Sequence, residues 1–213
     1  MSLRTSHHVS PERLANYATG ELPLAAAIVV AAHLETCQAC RALVSKIEEA
    51  EGRMLATLPP SEMEPDGLER VMARLDGPSP DAPIISKTII GDVEIPLGAA
   101  RAGLGPRRWL APGLWAAPVN AAVHDGWRTF LLRAPARSVV PTHGHRGGEL
   151  IAVLSGSFMD GELYSAGDFA ESVAHSEHEL RVSADGPCAC LIAMQGRVQW
   201  HGWSRMIRPL LGI

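Results

Sequence analysis

Two groups of residues in this 213-residue chain have the types and spacing of metal ligands. The first lies in the stretch HLETCQACR, where His33 is followed by Cys37 one helical turn later and by Cys40 after a further turn. On a continuous helix these positions share one face, so the imidazole and both thiols should point the same way. Structural zinc takes four nitrogen or sulfur ligands in a tetrahedron, and Cys-x-x-Cys is a spacing that it often uses. The pattern predicts three of the four ligands of a zinc site.

The fourth ligand of this site has to come from another part of the chain. The free candidates in the N-terminal part are His7 and His8, just ahead of the first predicted helix, and we choose His8. Such a site would tie the N-terminal segment to the second and third helices of a unit too small to be very stable alone. Metal binding would then be part of the folding of this unit.

Other interpretations of the cysteine pair are weaker. A thioredoxin-like redox pair lies at a helix N-terminus, where the dipole lowers a thiol pKa, whereas Cys37 follows a long run of residues predicted to be helical. A c-type haem site would need histidine at position 41, which is Arg41. Two core thiols beside a surface histidine remain as the interpretation without metal. In a cytosolic protein, where thiols stay reduced, the Cys-x-x-Cys spacing favours metal.

The second group of candidate ligands lies in the stretch PTHGHRGGEL, which contains His143, His145 and Glu149. These positions share parity, so on an extended chain their side chains point to one face of a strand. Two imidazoles and a carboxylate form a metal-binding set, and a histidine from a neighbouring strand would complete it. His175 and His178 are the two candidates for this last position.

The elements that carry the first group are predicted to be helices. Ser10 followed by Pro11 is a helix start signal, and Gly20 is a stop signal. Three more helices are expected over about 22–40, 41–58 and 67–75. The last has one apolar stripe, which either packs on its own domain or contacts a partner; it consists of Leu68, Val71, Met72 and Leu75.

The elements that carry the second group are predicted to be strands. The proline-rich stretch GPSPDAP ends the helical part, and many short alternating runs separated by turn signals follow it. Short strands at this spacing indicate a sandwich or barrel. We predict an α + β protein of two domains, with a small helical bundle at 1–77, a linker at 78–87 and a β-barrel at 88–213.

Charge and hydropathy restrict the partners. Residues 1–77 hold 7 Lys or Arg against 11 Asp or Glu, and residues 88–213 hold 11 of each kind. Neither part has the basic excess of a phosphate-binding surface, so direct nucleic-acid binding is disfavoured. No apolar run reaches the roughly 20 residues of a membrane span, and the start MSLRTSHHVSPER lacks a signal-peptide core. We expect a cytoplasmic protein without a membrane partner.

The first 75 residues resemble the zinc-binding anti-sigma domain. Members have an N-terminal histidine and then His-x-x-x-Cys-x-x-Cys at the junction of the second and third helices. The resemblance implies that these helices wrap an extracytoplasmic-function (ECF, group IV) sigma factor and keep it from RNA polymerase. It also implies a set of Zn²⁺ ligands, namely His8, His33, Cys37 and Cys40.

The part after the linker resembles the cupin family, whose fold is a jelly-roll barrel, also called a double-stranded β-helix. Gly156 stands at the spacing from Glu149 that ends the first cupin motif, and Gly167 opens a second motif whose fourth ligand, eleven residues on, is His178. His175 remains the alternative to His178. The resemblance implies a divalent metal, with zinc expected, bound by His143, His145, Glu149 and His178.

The order of the two domains resembles that of ChrR-type negative regulators of transcription. The resemblance implies a protein that is not an enzyme, whose helical domain sequesters the sigma factor and whose cupin domain senses singlet oxygen or related oxidative stress. The alternative is a metal-dependent cupin dioxygenase or isomerase with a helical accessory domain. Cys188 and Cys190 also share parity; they could sense oxidants, but we favour a role as small core residues.

Overall fold

The computed structural model describes residues 5–75, 88–121, 123, 125–174, 176–196 and 198–200. The predicted linker at 78–87 and the candidate ligand His175 lie outside these residues. As predicted, helices come first and a cupin-like β-structure follows. The helices are α1 (Pro11–Ala18), α2 (Leu24–Thr36), α3 (Gln38–Leu55), α4 (Gly67–Leu75) and α5 (Leu97–Ala102).

The second and third helices do not meet where the sequence predicts. Cys37 lies between α2 and α3 in an extended conformation, with φ −91° and ψ 104°. Its sulfur accepts a hydrogen bond from the Cys40 N–H at 3.5 Å and so caps α3. The prediction that His33, Cys37 and Cys40 share one face of a single helix is therefore wrong, because these residues surround a bend of 117° between two helices.

The helices differ in how they meet their surroundings. α1 begins as predicted, with Ser10 at the N-cap and Pro11 as its first residue. In α4 the apolar stripe is exposed, by 62% at Leu68 and 72% at Leu75, so it does not pack on the described part of its own domain. No single helix among the described residues is long and apolar enough to span a membrane, and α2 with α3 reaches that length and composition only across the bend.

The strands of the described residues form a hairpin and two larger antiparallel sheets. The hairpin pairs β1 (Thr88–Ile90) with β2 (Val93–Ile95). The large sheet has the order β10-β7-β12-β5-β4-β3 and the small sheet the order β13-β6-β11-β8-β9. Their strands are β3 (Arg108–Ala111), β4 (Leu114–Pro118), β5 (Trp127–Ala134), β6 (Val139–His145), β7 (Glu149–Ser155), β8 (Ser157–Asp160), β9 (Glu162–Ser165), β10 (Phe169–Ser172), β11 (Glu177–Val182), β12 (Cys188–Gln195) and β13 (Val198–Trp200).

The turn between β7 and β8 explains one glycine of the barrel motif. Gly156 has a φ of +71°, and a Cβ at this position would collide with the carbonyl oxygen of Pro187. Glycine is therefore required here both for its backbone conformation and for the close approach of the chain. This turn carries the chain from the large sheet to the small sheet, which encloses the barrel interior.

The central strands of the large sheet are buried on both faces. Side chains on the inner face, such as Ile151 and Ile192, pack with Phe158 and other residues of the small sheet inside the barrel. Side chains on the outer face, such as Leu150 and Leu191, belong to a core shared with α2. The period of two along each strand thus supplies two apolar layers.

Helix α2 fills the outer layer of this core. It is apolar on nearly every side, as expected of a helix that is buried all round, and Ala25, Ala26, Val29 and Val30 are all 0% exposed. The Thr129 hydroxyl of β5 donates a hydrogen bond to the Ala25 carbonyl at 2.6 Å. At the other end of α2, Glu35 accepts a hydrogen bond from the Leu97 N–H at the start of α5. The helical bundle and the barrel therefore share one continuous core.

Candidate metal centres

The first cluster of candidate ligands lies where α2, α3 and the N-terminal segment meet. Nδ1 of His8 is 3.3 Å from the sulfur of Cys37 and 3.5 Å from that of Cys40, and Nε2 of His33 is 3.3 Å from the Cys40 sulfur. All four ligand atoms lie within 4.8 Å of one another. At normal zinc bond lengths, tetrahedral nitrogen and sulfur ligands are about 3.5 Å apart. The set could therefore hold a metal ion.

The bend between the helices brings these residues together. His33 lies in the last turn of α2, Cys37 is the link residue, and Cys40 is in the first turn of α3. Arg41 donates a hydrogen bond from its guanidinium to the Leu34 carbonyl at 2.5 Å, which satisfies one of the unpaired carbonyls at the end of α2. The sharp turn is thus supported on both sides of Cys37.

Burial is the main influence on the protonation of His33 and Cys40. Burial lowers the pKa of His33 to about 4, although the backbone of Gly167 nearby partly opposes this shift, so His33 is neutral at pH 7. Burial, followed by a hydrogen bond with Cys37, raises the pKa of Cys40 to about 11. A neutral imidazole is ready to bind a metal ion, whereas the Cys40 thiol would lose its proton on binding.

Cys37 does not lie where the sequence places it, inside a long helix. The sequence places the two cysteines after a long helix, but Cys37 lies at the N-terminus of α3, the position where a reactive thiol pair is often found. The raised pKa of Cys40 disfavours a thiolate at this position in the absence of a metal. Two histidine nitrogens close to the sulfurs match a zinc set better than a redox pair.

The second cluster joins the two sheets inside the barrel. His143 and His145 come from β6 and His178 from β11, which pair in the small sheet, whereas Glu149 begins β7 in the large sheet. The prediction that the first three share one strand is wrong, because the chain turns between β6 and β7. At Gly147 in this turn a Cβ would lie 2.6 Å from the Gln195 side chain, so only glycine fits.

The atoms of the second cluster are close enough to share one ion. Nε2 of His145 lies 3.2 Å from Nε2 of His178, and both nitrogens are 3.4 Å from Oε2 of Glu149. The four ligand atoms, including one of His143, lie within 4.8 Å of one another.

Glu149 is the best test of whether this cluster suits a metal. Its side chain is 3% exposed, and its Oε2 has no hydrogen-bond partner among the described residues. Burial, with a further contribution from Asp160, raises the pKa of Glu149 to about 8, while burial and the neighbouring histidines lower the pKa of His145 to about 4. A buried carboxyl oxygen without a hydrogen-bond donor, facing the neutral imidazole of His145, fits a divalent cation.

Two of the histidines in the barrel are oriented by hydrogen bonds at their other ring nitrogen. His178 donates from Nδ1 to Oδ2 of Asp160 at 2.8 Å, and His143 donates from Nδ1 to the Pro141 carbonyl at 2.9 Å. Metal-binding histidines usually have such a partner, which fixes the ring and the tautomer. The role of Asp160 could not be predicted from the sequence, because an Asp-Gly pair is explained equally well as a turn.

The remaining cysteines are part of the barrel core. Cys188 and Cys190 are both buried among the residues that fill the interior, and their sulfurs are 3.6 Å apart. His7, the other histidine of the N-terminal segment, points away from the first cluster. Its Nε2 lies 2.8 Å from a carboxylate oxygen of Glu162 on the barrel.

Comparisons with known proteins cover both parts of the chain. The family model of the ChrR cupin-like domain matches residues 106–198, and a zinc-finger model matches residues 12–41. The anti-sigma-E factor ChrR of Cereibacter sphaeroides is 30% identical over 228 residues, which cover 97% of this chain and 98% of that protein.

A solved structure agrees with this match. In the crystal structure of Rhodobacter sphaeroides SigE in complex with the anti-sigma ChrR, the matching chain is 31% identical and gives a TM-score of 0.75. The similarity covers 90% of this chain and 100% of that chain. Because sequence and fold agree over nearly the whole length of both proteins, the chain belongs to the family of ChrR anti-sigma factors.

Proposed function

We propose that this protein sequesters an ECF, group IV sigma factor through its helical part and releases it when the barrel receives a stress signal. The observation that carries the proposal is the match, over all of that chain, to an anti-sigma factor solved together with its sigma factor. A helical bundle held by a four-ligand cluster and carrying an exposed apolar helix is suited to binding a protein partner.

Helix α4 is the surface that we assign to this partner. Its apolar stripe has at least half of each side chain exposed: Leu68 62%, Val71 53%, Met72 52% and Leu75 72%. A contiguous apolar patch of this kind on a soluble helix marks an interaction site. The net charge of −4 over residues 1–77 complements a sigma factor, which must be basic where it binds DNA.

In this proposal His8, His33, Cys37 and Cys40 bind Zn²⁺ and fix the geometry of the bundle. The barrel binds a divalent metal, with zinc expected, through His143, His145, Glu149 and His178. That metal would supply a site where an oxidant or another signal acts, and the residues around it hold the ligands in place. A partner that acts on RNA polymerase also implies a cytoplasmic location.

A small cavity in the barrel lies among the apolar core residues. It has a volume of about 30 Å³ and is lined by apolar side chains such as Ile151, Phe158 and Leu180. Substrate pockets usually measure about 300–1,000 Å³. This cavity is therefore too small to be a substrate pocket, and none of its lining residues belongs to the candidate metal cluster of the barrel.

Co-expression tests the proposal directly. The chain is produced together with each ECF sigma factor of the same genome, and the complexes are analysed by size-exclusion chromatography and metal content. We expect an equimolar complex with one sigma factor, and the loss of one zinc per chain when Cys37 and Cys40 are both replaced by Ser. If no sigma factor binds and the protein consumes O₂ with a small substrate in a metal-dependent reaction, the enzyme alternative is correct.

A further inference from the structure

The N-terminal segment that carries His8 is held by the barrel. Strand β10 is an edge strand of the large sheet, and the segment lies along it. The Phe169 N–H donates a hydrogen bond to the His7 carbonyl at 3.1 Å. Asp168, whose residue surface is only 3% exposed, accepts hydrogen bonds from the backbone N–H groups of Ser6 at 2.6 Å and His7 at 3.0 Å.

A second anchor lies just beyond His8. Glu171 on β10 accepts hydrogen bonds from the backbone N–H and the hydroxyl group of Ser10, at 3.1 to 3.2 Å. It also lies 3.4 Å from Nε of Arg13 in α1. Ser10 is the N-cap of α1 but does not cap that helix with its own side chain. The barrel therefore fixes the chain on both sides of His8.

The same part of the barrel touches a second member of the helical cluster. The ring of Phe169 packs edge to face against the ring of His33, with centroids 5.4 Å apart. His33 is thus in contact with a barrel residue, and His8 belongs to the segment that barrel residues hold. The two cysteines, in contrast, are placed by the bend between α2 and α3. The other end of β10 pairs Ser172 with Glu149, a member of the barrel cluster.

We propose that Asp168, Phe169 and Glu171 are positioning residues for the helical metal cluster, so that the edge strand of the barrel determines how tightly the helical part retains its metal. The inference rests on the zinc site of the proposed function. A signal that moves β10 would loosen His8 and change the geometry of the bundle without any contact with the sigma factor. The strand therefore offers a physical connection between the two clusters.

The test uses the full-length chain loaded with Co²⁺. Only the helical cluster contains thiols, so a sulfur-to-cobalt charge-transfer band reports that site separately from the barrel site. Transfer of Co²⁺ and of Zn²⁺ to a chelator is then followed for wild type and for Asp168→Asn. The substitution keeps the shape of the side chain but places an amide in the position of a carboxylate that accepts backbone N–H groups.

We expect Asp168→Asn to release metal from the thiol site about tenfold faster, the lower end of the effect usual for residues that orient metal ligands. Asp185→Asn is the matched control, since Asp185 is exposed on the barrel surface, and its rate should equal that of wild type. Glu171→Gln should also accelerate the release of metal from the thiol site. This variant tests the role of the barrel strand if Asp168→Asn does not fold. An unchanged rate in a folded Asp168→Asn chain overturns the inference.

Failure of the inference can be told apart from failure of the proposed function. If wild-type protein shows no sulfur-to-cobalt band, the helical zinc site itself is wrong and the inference is overturned with it. If the band is present and the sigma factor binds, but the rate of metal release is the same in every variant, only the role of the barrel strand is wrong.

Discussion

Glu149 is the residue whose environment has the clearest chemical consequence. Its raised pKa of about 8 means that most of the metal-free carboxyl group carries a proton at pH 7, whereas a bound cation requires the carboxylate. His145, with a pKa of about 4, is already neutral there. Metal binding in the barrel should therefore release a proton from Glu149.

From this we predict that the metal affinity of the barrel cluster rises with pH. The Glu149 proton alone should make the affinity rise by up to tenfold per pH unit below about pH 8, and this contribution should level off above that pH. Competition with a metal indicator at several pH values, in a chain with Cys37 and Cys40 replaced by Ser, measures it. Glu149→Gln should bind weakly and without this dependence, and a wild-type affinity that does not change with pH would contradict the prediction.

The two adjacent histidines of the N-terminal segment should differ in their effect on zinc. His8→Ala removes the nitrogen that lies 3.3 Å from the Cys37 sulfur, so the chain should lose one zinc. His7→Ala removes a side chain that faces Glu162, while its backbone hydrogen bonds to Asp168 and Phe169 remain. The His7→Ala variant should keep its full zinc content. Metal analysis of the two purified proteins checks the prediction, which fails if the outcomes are reversed.

The candidate metal ligands could be predicted from the sequence better than the residues that hold them in place. His, Cys and Glu at ligand spacing are rare enough by chance to attract attention. Asp160 and Asp168 stand in Asp-Gly and Gly-Asp pairs, which turn formation explains without any further role. Their contacts with His178 and with the N-terminal segment depend on how distant parts of the chain pack, which spacing does not encode.

Among the elements, α4 is the one whose exposed apolar side chains carry the proposed contact with the sigma factor. Val71→Ala should weaken binding of the sigma factor by about 1–2 kcal/mol, within the range for apolar contact residues, and leave the melting temperature unchanged because Val71 is 53% exposed. Isothermal titration calorimetry measures the affinity. Val173→Ala is the matched control, since Val173 is 76% exposed on the barrel. Equal affinities for both variants would show that α4 is not the contact surface.

The bend between α2 and α3 shows the limit of pattern reasoning at the level of elements. The stretch around Cys37 contains no glycine or proline, and its helical period continues, so the sequence has no stop signal there. The break instead depends on the Cys37 sulfur, which caps α3, and on Arg41, which reaches the end of α2. Helix α4 had no such interruption, and its predicted range of 67–75 is the range observed.

At the scale of the whole molecule, α2 does more than carry His33. The sequence predicts it as part of a separate bundle, but its apolar residues on every side are more than such a small bundle could bury. The outer face of the large sheet supplies the missing partner surface. The apolar character of α2 was the available signal that the helical part and the barrel share a core.

A shared core predicts that the two parts unfold together. Val29 in α2 is 0% exposed, and Val29→Ala should lower the free energy of unfolding by about 1–3 kcal/mol through loss of buried contacts. For a chain of this size the melting temperature should fall by about 2–4 °C for each kcal/mol. Because all five tryptophans follow residue 108, tryptophan fluorescence reports the barrel part alone.

The decisive measurement compares two probes in the same metal-loaded protein. Far-UV circular dichroism follows mainly the helices and fluorescence follows the tryptophans, so coincident melting curves indicate one cooperative unit. Val29→Ala should shift both curves equally, although the change lies in the helical part, and Val71→Ala on exposed α4 should shift neither. If Val29→Ala moved the circular dichroism curve and left the fluorescence curve in place, the barrel would fold independently of α2.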